Sequence, residues 1–210
     1  MAFPAIKLTY FDFAARGETT RLPLVIGDVP FEDERLQRED WPALKASMPY
    51  KKLPVMTVDG HVLCQSLAIS RYAGKLAGLY PLDNHVDACR VDEIGDFFED
   101  IVHTIMAVLH ETDAVKKETL KTQLKTDKLP EMLTMLEPRV ASTSLKGPWF
   151  LDKITMADLV IYNLVRSFKT PFFKQLEIPT DISDKYTRLH EIYDAVASHP
   201  KVAAWNLAHK

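Results

Sequence analysis

Residues able to bind or polarise a ligand recur at the ends of predicted elements in the first third of the chain. They are Tyr10, Arg16, Trp41, Lys45, Lys52, Leu53, Pro54, Gln65 and Ser66. Ser66 is predicted at a helix N-cap, where its hydroxyl and the free backbone N–H groups face one point suited to a carboxylate or phosphate. Each residue alone also has an ordinary role, because strand tyrosines commonly lie in the core and lysines are commonly solvated.

The elements that must position these residues follow from the hydrophobic pattern. A strand is predicted over Ile6–Phe11, a helix over Gly17–Ile26 ended by Gly27, and a weaker strand over Phe31–Arg35. Trp41–Met48 is predicted as a short irregular or helical link. The first half of this part of the chain is therefore a strand–helix–strand unit.

A hairpin followed by a helix completes the first part of the chain. Asp59 and Gly60 separate the apolar runs Val55–Val58 and Val62–Cys64, and an Asp-Gly pair between such runs favours a type I′ turn. The pattern then changes to a helical one over Ser66–Ala77. Strand–helix–strand followed by strand–strand–helix predicts an α/β unit with a mixed sheet.

The break at residues 78–82, which contains both Gly and Pro, predicts a domain boundary. Everything after it has helical spacing, so the fold class is α+β, with an α/β domain over residues 1–80 and an all-helical domain over residues 83–210. Helices are predicted over Val86–His110, Lys116–Val140 with an interruption at Pro130, Leu159–Phe168 in the centre of the domain, Tyr186–Ala197 and Val202–Leu207.

Thr155 and Asp158 form a local pattern at the start of the central helix. A threonine at the N-cap with an acidic residue three positions later is typical of a capping box, and the apolar residues Ile154 and Leu159 add a hydrophobic staple. A catalytic aspartate is the alternative interpretation. The structural role is the one that the local pattern favours.

Composition excludes several functional classes. The 210 residues carry a net charge of −3, with 47% hydrophobic and 26% charged residues, which is ordinary for a soluble protein and does not favour nucleic acid or membrane partners. No run is long enough to span a bilayer, and the first residues lack a secretory pattern. Cys64 and Cys89 form no CxxC pair and are predicted to be small buried side chains, and no metal site is expected. A reducing, cytoplasmic location is therefore expected.

Several segments together resemble one family. They are KLTYF at 7–11, Arg16-Gly17-Glu18, DWPALK at 40–45, LPVMTVDG at 53–60, QSLAISRY at 65–72 and ITMADL at 154–159. With these, the sequence from about residue 6 to residue 207 resembles the cytosolic glutathione S-transferases, most closely the sigma class and its tyrosine-type relatives. The resemblance implies a thioredoxin-like first domain and a detoxifying transferase that conjugates glutathione to hydrophobic electrophiles, with glutathione as co-substrate and no other cofactor.

The resemblance also implies a role for each residue of the glutathione site. Tyr10 would donate its hydroxyl to the glutathione sulfur, and Arg16 would add positive charge near it. Leu53 would pair its backbone with the cysteinyl unit next to a cis Pro54. The γ-glutamyl carboxylate would be bound by Gln65 and Ser66, and the glycine end by Trp41, Lys45 and Lys52.

Two further residues imply a homodimer by the same resemblance. Asp100 would reach the γ-glutamyl amine of the other subunit, although it could equally be a solvated helix charge. Tyr50 matches an aromatic residue that inserts into a partner pocket in several classes, although it could equally lie on its own domain.

The resemblance places the hydrophobic substrate site at Phe11, Met106, Leu109, His110 and Leu207. One departure concerns the stretch Ile105–Ala107, where the family's prostaglandin D synthases carry a tryptophan, so prostaglandin isomerisation is not expected.

Two alternatives to a conjugating enzyme stay open. One is a non-catalytic carrier or structural protein on the same fold, and the other is a glutathione-dependent isomerase or peroxidase.

Overall fold

The computed structural model describes residues 2–141 and 147–209 of the chain. It divides into two compact units, Met1–Ala88 together with His199–Lys210, and Cys89–Ser198. The α/β character of the first unit and the helical character of the second agree with the predicted fold class. The final helix groups with the first unit, whereas the predicted division into residues 1–80 and 83–210 stays a prediction about the family's domains.

The first unit is built on a four-stranded mixed sheet with the order β2-β1-β3-β4. β1 runs parallel to β2 and antiparallel to β3, and β3 pairs antiparallel with β4. The strands are β1 (Ile6–Phe11), β2 (Glu32–Leu36), β3 (Val55–Val58) and β4 (His61–Cys64). The helices of this unit are α1 (Ala15–Ile26), α2 (Trp41–Leu44), α3 (Ser66–Leu76) and α10 (Pro200–Ala208), with a 3₁₀ turn at Pro49–Lys51.

The hairpin between β3 and β4 has the predicted turn. Val58 pairs with His61, and the two residues between them, Asp59 and Gly60, have φ angles of 46° and 84°. Positive φ at both central residues is what a type I′ turn requires, so the local Asp-Gly signal is confirmed. The turn returns the chain so that the end of β4 lies beside the start of β3.

The core of the first unit lies between the sheet and helices α1 and α3. Leu8, Met56, Ile69 and Ala73 are completely buried there. Polar groups also lie between the two helices, because the Ser70 hydroxyl is 2.8 Å from the Thr19 hydroxyl and 2.9 Å from that of Thr20. These bonds satisfy polar atoms that burial would otherwise penalise.

The second unit is helical. Its elements are α4 (His85–His110), α5 (Ala114–Gln123), a π-helical turn at Leu124–Lys128, α6 (Leu129–Ala141), α7 (Met156–Phe168), α8 (Pro171–Lys174) and α9 (Thr187–Ala197). The predicted interruption near Pro130 is confirmed, since the π-helical turn ends directly before α6. Most residues of α7 are buried, in agreement with its predicted central place.

A buried carboxylate organises the start of α7. Asp158, with no exposed surface, accepts hydrogen bonds from the backbone N–H groups of Phe150 at 2.6 Å and Thr155 at 2.7 Å. The Thr155 hydroxyl donates to the same carboxylate at 2.8 Å. The pair forms a capping box. All these contacts are internal to the second unit, and they favour the structural interpretation of Asp158 over the catalytic one.

Candidate functional site

The register of the sheet brings three of the predicted site residues to one edge. Thr9 pairs with Val55, and Val55 pairs with Cys64. The next residues outward along the three strands are Tyr10, Pro54 and Gln65. Because neighbouring strands lie about 5 Å apart, these three residues occupy adjacent positions at the same end of the sheet.

Tyr10 is held by the residues around its ring and is only 6% exposed. Its ring makes edge contacts with the rings of Phe11 and Phe13, with centroids 5.5 Å apart in each case. On another side the ring packs against Gly17, where an added Cβ atom would lie 2.3 Å from a ring carbon. Only glycine allows α1 to approach the phenol ring this closely.

Arg16 lies in the first turn of α1, directly before Gly17, and is half-buried. Its carbonyl accepts a 2.8 Å bond from the Thr19 hydroxyl, which also contacts Ser70 on α3. The backbone of Arg16 is thereby fixed relative to α3. Ser70 lies one helical turn after Ser66, so the same contact links the two helix starts that carry predicted site residues.

The peptide bond between Leu53 and Pro54 is cis, as the resemblance implies. Pro54 is buried and Leu53 is half-buried at the start of β3. Leu53 precedes the first paired residue of that strand, Val55. Its backbone groups therefore lie just beyond the ladder, where an extended ligand could pair with them.

The start of α3 differs from the prediction in one respect. Gln65, not Ser66, occupies the N-cap position, and it has a φ of 72° and a ψ of 118°. Ser66 is the first helical residue and is half-buried, whereas Gln65 is exposed. The eleven-residue helix still presents its N-terminus at the sheet edge. The positive end of the helix dipole favours a carboxylate at this position.

Aromatic side chains line the same edge. The Phe11 ring stacks on that of Phe13 at 5.4 Å and meets the indole of Trp41 edge-on at 5.8 Å. Trp41 is thus placed near Tyr10 by way of Phe11. Lys45 and Lys52 are both exposed, and the backbone N–H of Lys45 donates to the Trp41 carbonyl at 2.8 Å. Phe13 was not predicted as a site residue, although its spacing from Phe11 puts both on one side of the chain.

The other predicted residues lie elsewhere in the chain. Asp100, Met106, Leu109 and His110 belong to α4, where Asp100 and His110 are exposed and the other two are half-buried. Leu207 on α10 is 67% exposed, and Tyr50 on the 3₁₀ turn is 73% exposed. Their predicted roles stay predictions.

The two cysteines correct the prediction that they are small buried side chains. Both are free thiols, and Cys64 is only half-buried while Cys89 is exposed. Burial raises the pKa of the Cys64 thiol above its ordinary value. This thiol, next to Gln65, is therefore protonated at neutral pH and is a poor nucleophile.

A group of charged residues behind Tyr10 was not predicted. Arg21 has no exposed surface, and its guanidinium carbon lies 5.6 Å from the centroid of the Tyr10 ring. Its Nε donates to Asp33 at 2.9 Å, and its Nη1 lies 3.7 Å from the Glu18 carboxylate. The spacing of Glu18 and Arg21 is that of an ion pair on a helix, which is the only sign of the group in the sequence.

Across residues 2–141 and 147–209, no three His, Cys, Asp or Glu side chains are grouped so that they could hold a metal ion. Over the same ranges, no helix combines the length and the apolar character needed to cross a bilayer.

A thioredoxin-like sheet with a cis-proline, a helix start and a strand tyrosine at one edge, together with a helical second unit, is the architecture of the glutathione S-transferase class. Comparisons with known proteins agree. The family models described as the glutathione S-transferase N-terminal and C-terminal domains match residues 6–75 and 99–209. The chain belongs to the glutathione S-transferase family.

Individual relatives extend over nearly the whole chain. The sequence is 34% identical over 209 residues to glutathione S-transferase 1 of Ascaris suum, and 33% identical over 209 residues to the hematopoietic prostaglandin D synthase of Gallus gallus. In both cases 96% of this chain and 95% of the relative are covered. A solved structure of prostaglandin synthase D of Nilaparvata lugens is similar with a TM-score of 0.85 and 34% identity, covering 97% of this chain and 98% of that one.

Proposed function

We propose that the protein is a glutathione transferase that conjugates reduced glutathione to hydrophobic electrophiles, using Tyr10 to stabilise the thiolate. The observation that supports this most directly is the placement of Tyr10, Pro54 and Gln65 next to one another at one edge of the sheet. Tyr10 would face the sulfur, the cis Pro54 would present the Leu53 backbone to the cysteinyl unit, and Gln65 would lie at the γ-glutamyl carboxylate. Membership of the family adds independent support.

The proposed chemistry depends on the charge of the sulfur. A thiolate is the nucleophile, whereas a free thiol with a pKa near ~8.5 is mostly protonated at neutral pH. A phenol O–H donated to the sulfur stabilises the anion without adding a competing base. The cationic side chain of Arg16 acts in the same direction, and each unit of pKa depression corresponds to about 1.4 kcal/mol of preferential anion binding.

The rest of the tripeptide follows from the positions of the backbone and the helix. Leu53 pairs its backbone with the cysteinyl unit, as an added strand would. Gln65 and Ser66 hold the γ-glutamyl carboxylate at the N-terminus of α3. Trp41, Lys45 and Lys52 bind the glycine carboxylate, where lysine acts as a point charge. The proposal requires glutathione as co-substrate and no other cofactor.

The electrophile is proposed to be apolar. The partly exposed rings of Phe11 and Phe13 next to Tyr10 support this, because they would contact a hydrophobic molecule that approaches the sulfur. Met106, Leu109, His110 and Leu207 are proposed to line the same site from the resemblance alone. Holding both reactants together would supply much of the rate enhancement, since the reacting sulfur comes from glutathione itself.

We also propose a homodimer in the cytoplasm. Tyr50 is 73% exposed on its turn, which supports insertion into a partner pocket over packing on its own unit. Asp100 is exposed on α4, as its proposed contact with glutathione in the other subunit would require. The free thiols Cys64 and Cys89 suit a reducing compartment.

A glutathione-dependent isomerase is the second candidate, favoured by relatives whose names are prostaglandin D synthase. The proposed glutathione site would serve both reactions. The stretch Ile105–Ala107, which lacks the expected tryptophan, makes conjugation the stronger proposal.

The direct test is an assay of the purified protein with glutathione and three substrates: a generic aryl halide, an organic hydroperoxide and a prostaglandin endoperoxide. We expect saturable conjugation of the aryl halide, with kcat/KM well above that of the other two substrates. Endoperoxide isomerisation at a higher kcat/KM would favour the second candidate. Absence of glutathione binding would contradict both candidates.

A further inference from the structure

Trp205 on α10 makes a specific polar contact with a buried carboxylate of α1. Its indole Nε1 donates to Glu18 Oε1 at 3.0 Å. Glu18 is only 3% exposed. A buried carboxylate is costly unless its oxygens are paired, so this hydrogen bond is a strong constraint on where the Glu18 side chain lies.

Two short routes connect Glu18 to Tyr10. The first is covalent, because Glu18 follows Gly17, the residue on which the Tyr10 ring packs. The second passes through Arg21, which lies 3.7 Å from Glu18. The Arg21 guanidinium donates to the carbonyls of Phe11 at 3.1 Å and Phe13 at 2.8 Å, and these bonds hold the end of β1 and the loop that follows it.

The contacts form a closed ring of side chains. Arg21 Nε donates to Asp33 at 2.9 Å, and Asp33 also accepts a 2.7 Å bond from Arg35. The Arg35 guanidinium lies 5.6 Å from the ring of Trp205. Since the contacts began at Trp205 on α10, this last contact closes the ring. Arg35 is also the residue of β2 that pairs with Tyr10 in the sheet. Arg21 beside the Tyr10 ring and Arg35 beside Tyr10 in the sheet are thus held by groups whose positions depend on one another.

We propose that Trp205 is a positioning residue for Tyr10, and that the final helix thereby sets how strongly the phenol stabilises the glutathione thiolate. The inference rests on the proposed function. The indole N–H fixes Glu18, Glu18 fixes Gly17 and Arg21, and these fix the ring and the following loop. Loss of the N–H would let the phenol move away from its best hydrogen-bond geometry with the sulfur.

The main experiment compares Trp205→Phe with Lys201→Met by titrating the ultraviolet absorbance of the glutathione thiolate bound to each variant. Phenylalanine keeps an aromatic ring next to Phe31 and Arg35 but removes the N–H donor together with part of the ring system. Lys201 also attaches α10 to the first unit, through a 2.7 Å bond to the Ile26 carbonyl and a contact with Asp28, but it does not touch Glu18. It is therefore the matched control for a general loosening of α10.

We expect Trp205→Phe to raise the titration midpoint by about 0.5 to 1 pH unit and to lower kcat/KM at neutral pH by roughly 3- to 10-fold, with a KM for glutathione within about 2-fold of the wild type. Lys201→Met should lower the melting temperature but leave the midpoint in place. An unchanged midpoint in Trp205→Phe, or an equal shift in Lys201→Met, would overturn the inference.

A double-mutant cycle with Tyr10→Phe tests whether Trp205 affects the thiolate through Tyr10. If Trp205 acts through Tyr10, adding Trp205→Phe to Tyr10→Phe should not move the midpoint further, whereas additive shifts would overturn the proposal.

Glu18→Gln is a second variant for the case in which Trp205→Phe folds poorly. It keeps an acceptor for the indole but removes the charge next to Arg21, and it should shift the midpoint in the same direction as Trp205→Phe. Absence of bound thiolate in the wild type would instead overturn the proposed function, and this inference with it.

Discussion

Among single residues, the proposed activity depends most on how the phenol of Tyr10 is held in place. Tyr10 is buried except for a small part of its surface, and it has aromatic rings on one side and Gly17 on the other. Such packing fixes the ring so that its hydroxyl can be directed without a further loss of side-chain entropy. The absence of a side chain at Gly17 is therefore as important to the proposed site as the phenol itself.

Gly17→Ala should disturb Tyr10 directly. The new methyl group would lie 2.3 Å from a carbon of the Tyr10 ring, so the ring or the helix must shift. We expect the free energy of unfolding to fall by roughly 1–3 kcal/mol and the bound-thiolate midpoint to rise. Chemical denaturation and the thiolate titration would measure the two effects.

Gly78→Ala is the matched control for that substitution. Gly78 has a φ of 70° and nothing near its missing side chain, so alanine there costs backbone strain of about 1 kcal/mol without touching the site. We expect it to leave the thiolate midpoint unchanged. If Gly17→Ala also left the midpoint unchanged, the contact between Gly17 and Tyr10 would not control the phenol.

Some residues around the proposed site could be predicted from the sequence, and others could not. Tyr10 and Pro54 could be placed because strand ends and prolines have local signals, and the cis peptide followed from the resemblance. Arg21 and Glu18 could not, because a charged residue on a helix is ordinarily solvated. Their burial is produced by the packing of Asp33 and Trp205 around them, which no local pattern records.

Among the secondary-structure elements, α7 has the most clearly defined N-terminal cap. Asp158→Ala would leave the backbone N–H groups of Phe150 and Thr155 without their acceptor in a buried place. We expect the free energy of unfolding to fall by about 3 kcal/mol, from loss of the cap and from the unsatisfied donors. Affinity for glutathione should not change, and calorimetry of binding and thermal unfolding would check both.

Asp113→Ala is the comparison for that variant. Asp113 caps α5 by accepting a 2.9 Å bond from the backbone N–H of Lys116, but it does so in an exposed position. Water can replace this acceptor, so the expected cost is at most about 1 kcal/mol. Equal losses in the two variants would show that burial adds nothing at Asp158.

Asp158 should also give stability a particular pH dependence. Burial raises the pKa of this carboxyl from 3.8 to about 6, against the effect of its hydrogen bonds. Between those values the folded protein binds more protons than the unfolded chain, so the free energy of unfolding contributed by this group falls as pH rises. Asp158→Asn lacks this group and isolates its contribution.

The wild-type stability minus that of Asp158→Asn should therefore decrease by roughly 2–3 kcal/mol between about pH 4 and pH 7. Urea unfolding of both proteins at the two pH values measures it. A difference that stays constant or increases with pH would mean that the folded protein does not raise the pKa of this carboxyl.

Elements with local signals were predicted well, and their exceptions have physical reasons. The hairpin at Asp59 and Gly60 was found because those residue types favour positive φ. The N-cap of α3 was misplaced because Gln65 adopts a positive φ that glutamine rarely takes. The π-helical turn at Leu124–Lys128 inserts an extra residue into a helical pattern, and the sequence signalled only an interruption near Pro130.

At the scale of the whole molecule, two compact units agree with the predicted α+β class, but the C-terminal helix shows a limit of prediction. The sequence places α10 after the helical segments, whereas its contacts group it with the first unit. Those contacts include the bond from Lys201 to the Ile26 carbonyl, which joins residues 175 positions apart. Hydrophobic patterns identify such a helix without indicating which unit it packs on.

The proposed dimer makes a prediction at this scale. Tyr50→Ala removes a side chain that is 73% exposed, so the isolated subunit should lose little stability. If Tyr50 anchors the interface, the variant should dissociate at protein concentrations at which the wild type stays dimeric, because interface energy is concentrated in a few aromatic residues. Analytical ultracentrifugation over a dilution series measures this, and a variant that stays dimeric at low concentration would rule out the anchor.

The most direct test of the account is a pH titration of the thiolate absorbance of bound glutathione in the wild type and in Tyr10→Phe, with aryl halide conjugation measured in parallel. We predict a midpoint well below ~8.5 in the wild type, and a midpoint at least ~1 unit higher, with a roughly 10-fold or greater loss of kcat/KM at neutral pH, in Tyr10→Phe. Equal midpoints and equal turnover in the two proteins would contradict the proposed role of the phenol.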